Sequence, residues 1–138
     1  MTSYVLDACA LVALLKGEDG AEKIDLLFQQ ATLGEAMLYI SIINLLEAHY
    51  GFVADIGLTE TVDMLNNIAD TPLTIIDTIS PRVYHEAARI KGTHRRLSLA
   101  DAVGIATAIE YAGVFVTSDH HELEAIEKKE TLKFLWFR

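Results

Sequence analysis

Four carboxylates, Asp7, Glu47, Asp101 and Asp119, each stand where an apolar run gives way to another element. Most other acids lie in polar stretches such as Gly17-Glu18-Asp19-Gly20. Asp7 follows Tyr4-Val5-Leu6 and precedes Ala8-Cys9-Ala10-Leu11-Val12-Ala13-Leu14-Leu15, so its ionised form is held against a strongly hydrophobic local background. Desolvating an isolated carboxylate costs far more than one neutral hydrogen bond returns. Several such anions in one cleft repel one another, and either protonation or a bound cation relieves the repulsion. An all-oxygen set without Cys or His selects a hard cation, and a few carboxylates plus water suit Mg²⁺ or Mn²⁺ better than zinc. Such a site can make hydroxide from water, orient a phosphodiester and stabilise its pentacoordinate transition state. Metal-assisted phosphodiester hydrolysis is therefore the reaction class that the cluster supports best.

Each acid also has a purely structural reading. Ser98-Leu99-Ala100-Asp101 fits a capping box, and Asp7 and Asp119 can each cap the helix that follows. Glu47 has no capping role in mid-helix, which leaves it an exposed stripe as its only bland explanation. The four taken together shift the balance towards a site.

The elements that must position these acids alternate. Tyr4 to Leu6 reads as a strand leading at Asp7 into an apolar segment of helical length, ended by Gly17 and Gly20. Ile24, Leu27 and Phe28 give helical spacing over Ala21 to Gln30, Met37 to Ile40 read as a strand, and Ser41 can cap a helix from Ile42 to about Ala54. Glu60 to Ala69 predicts a helix, Leu73 to Ile76 a β-branched strand, and Pro81 opens a helix to about Gly92. Ser98 starts a helix through Ala112 with Gly113 at its C-terminal capping position, and Val114 to Val116 form a strand ending at Thr117-Ser118-Asp119. His121 to Lys129 read as a helix and Leu132 to Phe137 as a last strand, at an edge or inside the sheet. Short strands that are apolar throughout, alternating with helices, predict an α/β fold: one domain over 1–138, with a central parallel sheet of about five strands flanked by helices on both faces.

Open parallel sheets bind ligands beyond the carboxyl ends of their strands, where Asp7 and Asp119 fall. Glu47 lies about two turns into its helix, and Asn44, one turn earlier on the same face, can hydrogen-bond it. Asp101 opens a helix whose Ala100, Ala102, Gly104, Ala106 and Ala108 permit close approach to the sheet. Gly104 costs about 1 kcal/mol against Ala in a helix interior, so close packing is the expected compensation.

The 138 residues, 51% of them hydrophobic, suffice for one compact domain with a full core. The apolar stretches fall short of the roughly 20 residues needed to span a bilayer, and the N-terminus lacks the basic opening of a signal peptide. The single Cys9 excludes an internal disulfide and a thiolate zinc site. These features predict a soluble, cytoplasmic protein with no membrane partner. The net charge of -9 argues at first against nucleic acid. Its distribution argues otherwise: residues 82–96 hold Arg82, Arg89, Lys91, Arg95 and Arg96 against one acid, Glu86, immediately upstream of Asp101. That segment reads either as a helix end whose cations complement the dipole or as a phosphate contact through Arg95 and Arg96.

Tyr4-Val5-Leu6-Asp7 before an apolar helix, Glu47 within Ser41-Ile42-Ile43-Asn44-Leu45-Leu46-Glu47-Ala48, Leu97-Ser98-Leu99-Ala100-Asp101-Ala102, and Val116-Thr117-Ser118-Asp119 resemble the four acidic motifs of the PIN-domain ribonuclease family. Within that family the chain looks most like the VapC-type toxins of prokaryotic toxin-antitoxin pairs, over nearly its whole length. The resemblance implies a Mg²⁺- or Mn²⁺-dependent endoribonuclease, usually a homodimer, inhibited by a small antitoxin that covers the active site. It makes Asp7, Asp101 and Asp119 metal ligands and has Glu47 complete the acidic pocket, touching the metal or holding its water. It places Thr117 beside the last acid as an orienting group. Cys9 stands where a serine is commoner, and His120-His121 depart from the family pattern as exposed turn residues. These departures bear on substrate preference and leave the acids intact.

Two other readings compete. A phospho-acceptor receiver domain also gathers acids around Mg²⁺, and Asp77 superficially fits its acceptor, but a paired acid at the first strand and a lysine ending the last are missing. A non-catalytic PIN-like module that binds RNA or protein keeps the fold without cutting.

Overall fold

The computed structural model describes residues 1–138. Its elements run β1 (Thr2–Leu6), α1 (Ala8–Lys16), α2 (Ala21–Thr32), β2 (Ala36–Ser41), α3 (Ile42–Ile56), α4 (Leu58–Asn66), a 3₁₀ turn (Asn67–Asp70), β3 (Leu73–Ile76), α5 (Pro81–Thr93), α6 (Leu99–Glu110), β4 (Val114–Thr117), α7 (His120–Lys129) and β5 (Lys133–Trp136). All five strands are parallel, in the order β3-β2-β1-β4-β5. The last strand therefore lies at an edge.

Successive side chains of a strand point to opposite faces, and in the central strands both sets are apolar. Val5, Tyr39 and Phe115 join one core with Val83, Ile90, Leu97, Leu123 and Ile126, from α5, α7 and the segment before α6. Leu6, Leu38, Ile40 and Val116 join a second core with Leu11, Ile24, Leu27, Ala48 and Ile68 on the other face. A sheet apolar on both sides needs a helical layer on each, and the chain supplies them.

The chain leaves β1 towards β2 on one side and returns from β3 to β4 on the other, so β1 and β4 flank the point where strand order reverses. Their register sets Leu6 beside Val116, and Asp7 N–H donates to the Val116 carbonyl at 3.1 Å. The two strand ends thus deliver Asp7 and Asp119 to the crevice in which such sheets place ligands.

Helix α6 lies close against this crevice. A Cβ built on Gly104 would meet Asn44 Oδ1 at 2.7 Å and Phe115 Cε1 at 2.8 Å, so only glycine lets α6 come this near α3 and β4. The close packing expected to offset its helix cost is present.

Most elements match expectation to within two residues at each end, and three departures have a physical reason or bear on the site. The helix predicted over Glu60 to Ala69 starts at Leu58, directly after Gly57 has ended α3, and tightens into the 3₁₀ turn at Asn67. Asn66-Asn67 are weak helix formers that compete for backbone partners, which explains the early end. At the end of α6 the left-handed residue is Ala112 (φ 49°), not Gly113. Gly113 N–H reaches back to Ala108 O at 2.8 Å and Ala112 N–H to Ile109 O at 3.1 Å, a Schellman closure shifted by one residue. Gly113 is needed for contact instead, since a Cβ there would sit 2.9 Å from Ser3 O. Finally, His120 and His121 form the first turn of α7 and are exposed.

Candidate active site

Asp7, Glu47, Asp101 and Asp119 line one cavity of about 280 Å³, together with Cys9, Arg96, Ser98 and Glu122. Each acid arrives from a different element. Asp7 is the N-cap of α1, its Oδ1 accepting from Ala10 N at 2.8 Å, and it is only 2% exposed. Its Oδ2 accepts from Thr117 Oγ1. Glu47 projects from the middle of α3. Asp101 sits in the first turn of α6, its N–H donating to Ser98 Oγ at 3.1 Å. Asp119 caps α7, its Oδ1 accepting from Glu122 N at 3.2 Å.

Capping and clustering are therefore both real, and the electrostatics show what clustering costs. Burial pushes the Asp7 carboxyl up to about 7, against its hydrogen bonds from Thr117 and Ala10, and the charges of Asp101 and Glu47 push the same way. Burial also pushes Asp101 up to about 6; a Ser98 hydrogen bond opposes the rise, while Glu47, Asp119 and Glu122 add to it. Burial raises Glu47 as well. Cys9 has exposed surface, yet its thiol is pushed up to about 12, by partial burial and then by Asp7, Asp101, Glu47 and Asp119 in turn. One group feels all four acids.

None of the four is ion-paired; the six ion pairs of the chain lie elsewhere. As the side chains are oriented, no three of them are arranged to hold one metal ion. Asp7 and Asp119 instead turn an oxygen each towards backbone N–H groups, of Ala10 and Glu122. The donor chemistry nevertheless fits a hard divalent cation: carboxylate oxygens, partly desolvated, with no cation of the protein paired to them.

Two supporting residues act differently from expectation. Asn44 does not bond Glu47. It is fully buried, accepts from Ser41 Oγ at 2.7 Å and donates through Nδ2 to Ala100 O at 3.3 Å, tying α3 to the start of α6. A buried amide satisfies the nearest backbone carbonyl in preference to a half-exposed acid. Thr117 orients Asp7, across the β1–β4 pair, in preference to the Asp119 carboxylate; it reaches Asp119 only by accepting from its N–H at 3.3 Å. The fifth acid of the cavity, Glu122, escaped the sequence reading, although Asp119-His120-His121-Glu122 has capping-box spacing that sets both acids on one turn. Asp77 is exposed after the edge strand β3 and lines no part of the cavity.

The model of the PIN domain matches residues 4–129. The chain belongs to the PIN-domain family. Among solved structures, this PIN domain is similar to a chain of VapBC2 from Rickettsia felis bound to a promoter DNA fragment (TM-score 0.75, 21% identity, covering 97% of this chain and 98% of that one). It is similar to VapBC-1 from nontypeable Haemophilus influenzae (TM-score 0.74, 15% identity, 99% and 98% covered). It also resembles a toxin-antitoxin complex from Klebsiella pneumoniae (TM-score 0.65, 20% identity, 98% of each chain covered). No curated protein sequence matches. At these identities the likeness is one of fold, over essentially the full length of each chain. No helix of this PIN domain is long and apolar enough to cross a membrane.

Proposed function

We propose that this PIN domain is a Mg²⁺- or Mn²⁺-dependent endoribonuclease, the VapC-type toxin of a type II toxin-antitoxin pair. The observation that carries the reading is the shared cavity: four acids from four elements, at the point where strand order reverses, with Asp7 and Asp101 held near 7 and 6. Acids so frustrated are of little use to stability and of direct use to a cation. Asp7, Asp101 and Asp119 would hold the ion, with Glu47 completing the pocket. When bound, a divalent ion there lowers the pKa of water and offsets charge on the reacting phosphate.

The chain's own residues supply position and exclusion. Thr117 fixes the Asp7 carboxylate, Asn44 fixes the start of α6 under Asp101, and Gly104 lets that helix close on the sheet. Arg96, at the cavity wall and free of ion pairs, is placed to take a backbone phosphate next to the one attacked. Arg95, exposed beside it, serves the same strand. Leu46, Tyr50, Leu58 and Val62 are exposed on α3 and α4, an apolar surface that suits a second copy or an antitoxin helix. The Klebsiella relative, solved as a toxin-antitoxin complex, supports an antitoxin partner. Such a pair acts in the cytoplasm.

The test is cleavage of total RNA by purified protein with added Mn²⁺, with cut sites mapped at the ends produced. Cutting should stop with chelator and in Asp101→Asn. Cutting that survives chelation, or full activity in Asp101→Asn, would overturn the assignment; a folded protein that binds RNA and never cuts would be the non-catalytic module.

A further inference from the structure

Three cavities form one run along α7. The acidic cavity shares Arg96 and Glu122 with a second cavity of about 350 Å³, lined by His94, Arg95, Arg96, Leu97, His121, Glu122, Ala125 and Ile126. The second shares His121 and Ala125 with a third, whose far wall is Lys128 and Lys129. His121, Ala125 and Lys128 follow at helical spacing and mark one face of α7, while Leu123 and Ile126 anchor the helix in the core.

The charge along this run departs from that of the molecule. The two outer cavities hold Arg95, Arg96, Lys128 and Lys129 against Glu122 and Glu124, in a chain of net charge -9. None of these four cations is ion-paired, whereas Lys16, Arg89 and Arg138 are. Glu124 is engaged by His120 Nδ1 at 2.9 Å. The turn bearing the arginines is firmly set: Leu97 is buried and donates to His94 O at 3.0 Å, and Lys91 Nζ donates to Arg95 O at 2.6 Å. Exposed, unpaired cations on a fixed frame are suited to phosphates, and here they line a continuous path from the acids.

We infer that α7 carries a backbone-tracking groove for single-stranded RNA, running from the acidic cavity past Arg96 and His121 to Lys128 and Lys129. The inference rests on the ribonuclease reading for the identity of the ligand. The ten residues of α7 rise about 15 Å, the span of roughly four stacked phosphates. The groove thus holds nucleotides several steps from the scissile bond and sets how long an RNA the site engages.

Binding of fluorescent RNA oligomers, short and about twelve nucleotides long, would be measured in chelator over a salt series, so that cleavage plays no part. The parent should bind the longer RNA more tightly and with the steeper salt dependence. Lys128→Ala with Lys129→Ala should lower that slope by about 1.4, at about 0.7 per phosphate contact on a single strand, and erase most of the length advantage. Lys23→Ala with Lys133→Ala, the same charge change on exposed residues elsewhere, should leave both as they are. An unchanged slope in the first pair, or an equal fall in both, overturns the groove. RNA that binds without being cut in Mn²⁺ overturns the nuclease reading and leaves the groove standing.

Discussion

Thr117, 110 positions along the chain from Asp7, donates its hydroxyl to the Asp7 carboxylate, and this bond joins the ends of β1 and β4 at the floor of the acidic cavity. Asp7 is almost fully buried and its other oxygen is taken by Ala10 N–H, so Thr117 is its remaining source of compensation.

Thr117→Val keeps the shape and removes that donor. Above about pH 7, where Asp7 is ionised, a hydrogen bond lost to a buried charged group costs about 1.5–3 kcal/mol, so the urea midpoint should fall with an unchanged slope of the transition. Mn²⁺ half-saturation of cleavage should rise. Thr117→Ser, which keeps the hydroxyl, should recover both; equal effects of Val and Ser would detach Thr117 from the site.

Stability without metal should fall as pH rises. Asp7 titrates at about 7 in the folded chain against 3.8 as its ordinary value, so between these pH values the folded state holds the extra proton. More protons in the folded than in the unfolded state means that unfolding becomes easier with rising pH. Asp101, raised to about 6, adds the same trend over the lower part of the window. The loss should be complete above about pH 7. Denaturant midpoints in chelator should show this decline and Asp7→Asn should flatten it, while added Mg²⁺ should stabilise the parent above that pH and not the variant. A flat profile for the parent would mean that Asp7 is ionised throughout.

Gly104→Ala should destabilise despite the better helix former. Its methyl would press on Asn44 Oδ1 and Phe115, both fully buried, so overpacking of about 1–3 kcal/mol outweighs the roughly 1 kcal/mol gained in propensity. Because Asn44 holds Ala100 O beside Asp101, cleavage should fall further than stability alone accounts for. Thermal melts and single-turnover rates measured below the melting range separate the two.

Arg95→Ala with Arg96→Ala should weaken RNA binding and lower its salt slope by about 1.4, at about 0.7 per phosphate contact on a single strand. An unchanged slope would return the pair to a solvated helix end.

The sheet was readable because its central strands are apolar on both faces and every strand after the first comes after a helix of clear period; Leu73–Ile76 matches its predicted range residue for residue. The acids were readable for the same reason, since a carboxylate after Tyr4-Val5-Leu6 has few explanations. Partners of the small polar residues were not. Asn44 and Thr117 lie near acids in sequence, but each bonds across the fold, to Ala100 O and to Asp7, and such choices appear only once α6 and β4 have docked. Glu122 was hidden by its neighbours, an acid among the acids and histidines of an exposed helix.

The order of the strands also bears on how this protein is made. β4 is fourth in the chain but inserts beside the first strand, so β1 keeps an open flank until residues 114–117 have been synthesised. Until then the growing polypeptide lacks both Asp119 and the strand that aligns Asp7, so the acidic cavity is completed only after β4 has emerged and inserted.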